Sequence, residues 1–451
     1  MWNKTKLYIR KLTPAQVIVG YYALAITISV LLLRIPAVHK DGVEVSFIDS
    51  VFTAVSAVSV TGLSVINISE TYSVFGFFVL MFILQFGGIG VMTLGTFFYL
   101  LLGKKIGLKE RRLIMVDQNQ TSLSGLVILM KDILRIILII ELIGTIVLGF
   151  YFLKYYPSWQ EAFLQGLFSS ISATTNGGFD ITGHSLVPFA NDYFVQLINI
   201  ILITLGAIGF PVLIELKHFL MNKEKHKSFR FSLFTKLTSV TFLALLVFGT
   251  VIILLLELPH AFRGESWHES FFYAFFQSAS TRSGGLATID VSQFSQATLI
   301  VMSGLMFIGA SPSSVGGGIR TTTFALNILY LYHFAKGNRH IKIFRRELHE
   351  DDIRKSLAVT MLAFALCSSS LVVLSITEGH SALALIFEIC SAFGTTGLSL
   401  GITADLSTVG KIVIMILMFI GRIGLPSFLF MIGGKEEKTN YHYPKERVII
   451  G

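Results

Sequence analysis

The stretch Phe52–Gly62 reads FTAVSAVSVTG. Its frame returns as FSSISATTNGG at Phe168–Gly178, FFQSASTRSGG at Phe275–Gly285 and FEICSAFGTTG at Phe387–Gly397. The closing glycines stand 116, 107 and 112 residues apart. Aligning the stretches on those glycines brings other columns into register. Phenylalanine stands ten residues upstream each time, at Phe52, Phe168, Phe275 and Phe387. Two small residues lie five and six places upstream: Ser56-Ala57, Ser172-Ala173, Ala279-Ser280 and Ser391-Ala392. Phe is only 39 of 451 residues, so a fully matched column does not follow from composition. One domain-sized unit is written four times.

The chain is 53% hydrophobic and 14% charged, which places it among polytopic membrane proteins. Cys367 and Cys390 lie in apolar stretches and give neither a disulfide framework nor a metal spacing. The basic N-terminus runs into a long apolar stretch without a small-residue cleavage site, so it reads as a retained first helix. The net charge of +9 would suit nucleic acid, but its distribution does not. Of 36 Lys and Arg, 26 fall in segments 1–15, 103–115, 217–236, 336–355 and 435–447, which alternate with apolar stretches. That alternation is the positive-inside pattern, so these segments and both termini belong in the cytoplasm.

Between successive basic segments the same parts recur. A long apolar stretch comes first, at 16–33, 132–153, 237–256 and 357–376, each near the ~20 residues a span needs. A short one follows, at 47–58, 163–174, 270–281 and 383–394. It is too short to cross and reads as a re-entrant half-helix. A second long stretch closes each unit, at 75–102, 193–216, 297–333 and 408–432. The expected fold is all-α: four parallel helix–pore-loop–helix (M1-P-M2) repeats with pseudo-four-fold symmetry around a central pore, and eight transmembrane helices. Equal orientation of the units puts the symmetry axis along the membrane normal. The expected units are 1–112, 113–228, 229–345 and 346–432, with a cytoplasmic tail at 433–451.

A dehydrated cation needs several oxygen ligands, and a filter supplies them from backbone carbonyls. Such ligation tolerates many side chains but demands unusual dihedrals, which glycine reaches at φ > 0. The four stretches end accordingly: Val60-Thr61-Gly62, Asn176-Gly177-Gly178, Ser283-Gly284-Gly285 and Thr395-Thr396-Gly397. Each half-helix should aim its negative C-terminal end at the axis. Glycines recur deeper, in Gly87-Gly88-Ile89-Gly90, Gly206-Ala207-Ile208-Gly209, Gly309-Ala310-Ser311-Pro312 and Gly421-Arg422-Ile423-Gly424. Small residues there permit close helix approach.

The chain resembles the Trk/Ktr/HKT superfamily of potassium translocation proteins, and within it the bacterial KtrB/KtrD type of membrane subunit. The resemblance covers nearly the whole chain. It rests on the four glycine stretches, on TTNGGFD at 174–180 and on GASPSSVGGGIRTTT at 309–323. It implies potassium as the transported ion, because glycine closes all four filters and Gly62 stands where some sodium-selective members carry serine. Sodium coupling stays open. A bacterial plasma-membrane location, a homodimer and a separate cytoplasmic ring of nucleotide-binding RCK subunits (KtrA/KtrC type) are implied as well. This chain itself carries no nucleotide motif. Segments 217–236 and 336–355 and the tail 433–451 are candidate docking surfaces, although attraction to anionic lipid explains their charge without a partner.

The third unit departs from its siblings. Gly309, Ala310, Ser311, Pro312, Ser313, Ser314, Val315, Gly316, Gly317 and Gly318 cannot continue a regular helix, since proline removes a donor and the glycines weaken propensity. A flexible intramembrane gate over 309–319 is expected in preference to a cytoplasmic loop between two helices, because no basic cluster precedes it and Arg320 is the first charge after it; the family resemblance supports the gate. Only this second helix is expected to be broken. Arg422 lies within an apolar stretch, where a charge is expensive and marks function by default. It should face the pore below the filter and bond to the gate carbonyls. The alternative is a buried pair with Glu141. Arg282 ends the third half-helix and should brace the filter loops from behind, since a guanidinium cannot be a cation ligand. Asp180, Asp290 and Asp405 follow three of the filters and could attract cations or simply shape loops. A sodium-selective or weakly selective relative is the first rival reading. A membrane-embedded enzyme is the distant one, without an HExxH run or a P-loop to support it. A receptor or scaffold would not need four filter-like loops.

Overall fold

The structure is a computed structural model. It describes residues 13–90, 106–117, 125–221, 229–338, 340–425 and 427–429, with positions 93, 95, 444 and 446. The sequence expectations for 1–12, most of 91–105 and 222–228, and nearly all of the tail 433–451 lie outside the described residues.

The protein is mostly helical. Among the described residues four helices are each long and apolar enough to cross a membrane: α1 (Pro14–Leu33), α5 (Leu126–Phe152), α9 (Leu233–Glu257) and α13 (Glu350–Thr377). Four short ones follow them in turn: α2 (Phe47–Ser59), α6 (Trp159–Thr174), α10 (Trp267–Ser280) and α14 (Ala382–Phe393). Each short helix starts at a serine, Ser46, Ser158, Ser266 or Ser381. Its hydroxyl accepts the backbone N–H three residues on and satisfies one of the orphan donors of the first turn. Next come α3 (Val74–Ile89), α7 (Tyr193–Ala207), α11 (Gln296–Ile308) and α15 (Thr408–Ile423). Among the described residues the other helices of ten residues or more are α4 (Leu108–Asp117), α8 (Phe210–Met221) and α12 (Thr321–Ala335). The outer faces of the long helices stay apolar and exposed, as with Leu24 and Leu31 on α1 or Ile139, Leu142 and Ile146 on α5, which suits lipid.

The second helices correct the sequence expectation. All four are interrupted, not the third alone, and a glycine with positive φ stands within two residues of each end: Gly90 at 94°, Gly209 at 105°, Gly309 at 72° and Gly424 at 87°. A side chain at such φ carries a Cβ penalty that glycine escapes. In the second unit the chain bends by 104° between α7 and α8. The breaks pair Gly309 with Gly90, Gly209 and Gly424, so the sequence motifs were offset in the third unit. In that unit residues 309–320 separate α11 from α12.

One joint recurs where each long helix meets the start of its unit's second helix, built from different groups. In the third unit, Glu257 at the end of α9 accepts from Ser295 N at 2.9 Å and Ser295 Oγ at 2.7 Å. In the fourth, Glu378 accepts from Ser407 N at 3.0 Å and Ser407 Oγ at 2.5 Å. The second unit reverses the roles. Asp192 caps α7 and accepts from Tyr151 at 2.8 Å and Tyr155 at 2.5 Å. The first uses backbone: Ser73 N and Oγ donate to the carbonyls of Val38 and Ala37. Lys411 on α15 closes the circle by pairing with Asp49 on α2 at 2.8 Å.

Desolvation pushes the Glu378 carboxyl up, but the Ser407 donors outweigh it and hold it below its ordinary value. A lowered carboxylate stabilises above the unfolded pKa and loses that contribution as pH falls through the folded one. Glu378→Gln should therefore lower Tm at neutral pH, and the gap from the unmodified chain should narrow in acid. Thermal melts across pH check this.

Candidate functional site

The four short helices deliver their C-termini to one place, and there the backbone turns left-handed twice. The first turn falls two residues before each repeated glycine: φ is 56° at Val60, 54° at Asn176, 75° at Ser283 and 46° at Thr395. The second falls at the glycine itself: 90° at Gly62, 65° at Gly178, 71° at Gly285 and 96° at Gly397. A non-glycine residue at φ > 0 is uncommon, and surrounding structure must hold it there. Here that structure is a fully buried shell. Val60, Thr61, Asn176, Ser283, Thr395 and Thr396 are all inaccessible to solvent.

The glycines form a closed ring. A Cβ on Gly62 would lie 2.6 Å from the Gly177 carbonyl and 2.9 Å from Gly178 Cα. On Gly178 it would meet Gly285 Cα at 3.1 Å. On Gly285 it would strike the Thr396 carbonyl, and on Gly397 the Thr61 carbonyl. The four units therefore stand in chain order around one axis, each leaning on the next. Gly177 fills its place beside Leu84, and Gly284 beside Ile203.

Conserved geometry hides a slip in the third unit. Backbone bonds run from the residue before the glycine to the residue six before it, in Thr61→Ser56, Gly177→Ser172 and Thr396→Ser391. In the third unit the bond is Gly284→Ser280, one residue closer. Ser280 Oγ still reaches the Leu286 carbonyl, as Ser172 Oγ reaches that of Phe179. The buried phenylalanine is likewise Phe276, with Phe275 only half-buried, so the sequence column at Phe275 was off by one.

The deeper glycines pack against the ends of the short helices. A Cβ on Gly87 would sit 2.6 Å from the Val58 carbonyl. On Gly206 it would strike the Thr174 carbonyl, and on Gly421 that of Phe393. Each of these carbonyls lies four residues before its filter glycine. The deeper glycines thus let the second helices press on the carbonyl ends of the short ones.

Beneath the ring, residues 309–320 cross the site. Gly316 lies under Ser283 and Gly317 under Thr395, where a Cβ would come within 2.7 Å of those side chains. The break in the second unit holds this loop by backbone bonds: Ser311 N to the Ala207 carbonyl, Val315 N to that of Gly206 and Phe210 N to that of Ser313. Two arginines hold it from other sides. Arg422, 8% exposed, donates to the Val315 carbonyl and to those of Gly87 and Gly88. It makes no pair with Glu141, whose carboxylate accepts from Gln85 instead. Arg320, at φ 80°, donates to the Ser311 and Gly316 carbonyls. Sequence reasoning passed over Arg320 as the first charge beyond the loop. Both arginines line a cavity of about 260 Å³, with Tyr22, Phe210, Phe234 and Ser313.

Arg282 is fully buried, and its guanidinium donates to the Leu305 carbonyl on α11 at 2.6 Å. The expected bond to a filter carbonyl is not among the described contacts. Ser283 provides a link between filters instead, donating to the Thr395 carbonyl at 2.5 Å. Asp180 is occupied by Thr182 and Gly183 in its own loop, and Asp290 by Ser292. No cluster of metal-binding side chains occurs among the described residues.

A model of the TrkH cation transport protein family matches residues 3–441, and the chain belongs to that family. It is 63% identical over 443 residues to the Ktr system potassium uptake protein D of Bacillus subtilis (strain 168), covering 98% of each chain. It is 35% identical to the Ktr system potassium uptake protein B of the same organism, covering 98% of this chain and 97% of that one. The potassium/sodium uptake protein NtpJ of Enterococcus hirae is 31% identical, with 98% of each covered. The crystal structure of the potassium transporter TrkH from Vibrio parahaemolyticus shares the fold, at TM-score 0.74 and 20% identity over 93% of this chain and 84% of that one. The protein is an integral membrane transporter, and these relatives are named as transporters, not enzymes.

Gly421→Ala places a methyl against the Phe393 carbonyl and should cost about 1–3 kcal/mol of stability. Gly304→Ala on α11 meets nothing within 4 Å and should leave Tm unchanged or raise it slightly. Parallel melts of the purified variants check the contrast.

Proposed function

We propose that this chain is the potassium-translocating membrane subunit of a Ktr-type uptake system. The observation that carries this reading is the closed ring of four glycines, each preceded at two residues' distance by a second left-handed residue. Paired left-handed turns at Val60/Gly62, Asn176/Gly178, Ser283/Gly285 and Thr395/Gly397 present successive carbonyls of one strand toward a shared axis. Carbonyls so placed replace the hydration shell of a monovalent cation. The names of the relatives supply the ion.

In this reading the four units are M1-P-M2 walls with both termini in the cytoplasm of a bacterial cell, and the short helices are pore helices. The loop at 309–319 is the gate, with Arg422 and Arg320 as its latches. Their charge also sets a barrier to cations in the cavity below. Arg282 supports the filter by anchoring the third pore helix to α11. A homodimer docked on an RCK ring completes the system, and the Ktr names of the relatives favour a regulatory partner. A second reading, sodium as co-ion or cargo, is favoured by one observation: the 31% identical relative is named a potassium/sodium uptake protein.

Gly62→Ser forces a side chain into the space of the Gly177 carbonyl at φ 90°. It should lower discrimination of potassium over sodium. Uptake of each ion in cells lacking their own importers measures this, and unchanged selectivity would sink the filter assignment. Removing residues from 312–318 deletes holds on the loop and should raise flux. A folded, inserted variant with no flux would contradict the gate.

A further inference from the structure

Glu141 sits in the middle of α5, 5% exposed, without a cation beside it. Its Oε2 accepts from Gln85 Nε2 on α3 at 2.6 Å. The other oxygen of each partner, Glu141 Oε1 and Gln85 Oε1, is buried and has no hydrogen-bond partner. Two buried acceptors without donors on one hydrogen-bonded pair are an expensive arrangement, and an isolated carboxylate at membrane depth is more so.

One proton resolves both. We propose that Glu141 is a proton-binding site: Oε1 carries a hydrogen and donates it to Gln85 Oε1. With the Nε2–H···Oε2 bond this closes a two-bond ring between a carboxylic acid and a primary amide. The pair is neutral, and all four of its polar atoms are used. A protonated Glu141 is a donor as well as an acceptor, which is what a glutamine facing it requires.

The surroundings agree. Facing Glu141 are Gln85 from α3 and Ser170 from α6, whose hydroxyl donates to the Glu141 backbone carbonyl at 2.9 Å. Helices α3 and α7 carry no charged residue. On α6 the nearest is Glu161, nine residues before Ser170 and so roughly 13 Å along the helix. On α5 itself Lys131, Asp132 and Arg135 lie six or more residues away, at least about 9 Å. Lys217 of α8 is held at that end by Asp132, at 2.9 Å, and Glu215 accepts from Ser232. Among the described residues no basic side chain pairs with Glu141. A bare monovalent cation is the competing occupant, because Thr145 Oγ1, one turn along α5, is also without a partner. Three side-chain oxygens are few for an ion stripped of water.

The ring joins the second helix of the first unit to the long helix of the second. Gln85 lies two residues before Gly87, whose carbonyl, with that of Gly88, holds Arg422. Glu141 is thus a positioning residue for the stretch that receives Arg422. That consequence rests on the gate reading, whereas the proton itself does not depend on which ion the protein carries.

The test uses the full chain in liposomes. Infrared spectra at pH 7 should show a protonated-carboxyl C=O stretch that Glu141→Gln removes, and Gln85→Leu should move that band to higher frequency. Spectra of the unmodified chain and Glu141→Gln that coincide in this region would overturn the proposal. Melts give an independent arm. Gln85→Glu alone should lower Tm, and adding Glu141→Gln, which exchanges the two partners, should restore it; no recovery would count against the ring. Sodium that raises Tm of the unmodified chain but not of Glu141→Gln would show a cation in place of the proton.

Discussion

Four strands of backbone meet at one axis with no room for a Cβ, and the rest of the protein is arranged around that constraint. Each strand needs a support that ends abruptly and points inward, which is what a serine-capped helix of 12 to 16 residues followed by a left-handed residue provides. Each support is in turn pressed by a second helix, and pressing is close only where that helix has glycine. Gly87, Gly206 and Gly421 are therefore consequences of the ring and not independent features. The strain of four non-glycine residues at positive φ is held by complete burial and by bonds between neighbouring walls, such as Ser283 to Thr395.

The symmetry is one of geometry, and the chemistry that enforces it is free to vary. The joint at the outer end of each unit is a glutamate on a serine cap twice, an aspartate cap beneath two tyrosines once, and a serine on backbone carbonyls once. The third glycine loop reaches the same carbonyl with a serine one place later than the second does. Copies that must close one ring are constrained in where they put atoms, not in which residues supply them.

That distinction explains how much was legible in the sequence. The repeated glycines could be read because one backbone requirement leaves one acceptable residue. The short helices could be read because apolar runs of that length cannot span, and their boundaries fall within a few residues. The left-handed positions upstream could not, since valine, asparagine, serine and threonine share no local preference for αL; the fold imposes it. Breaks in α3 and α15 were hidden because a glycine in a membrane helix serves close packing as readily as interruption. Arg320 was missed because an arginine after a glycine-rich run looks like the start of a cytoplasmic segment. The Gln85–Glu141 pair joins residues 56 apart in sequence, and a lone neutral amide gives no sign of its partner.

A ring assembled from identical subunits repeats every change at each wall. Here the ring is written once, along a single chain, and a substitution alters one quarter of it. The long loop at 309–320 uses that freedom. Carried by the third wall, it is held by backbone of the second and by Arg422 of the fourth. Covalent linkage of the units is thus what allows a symmetric ring to carry an asymmetric element beside it.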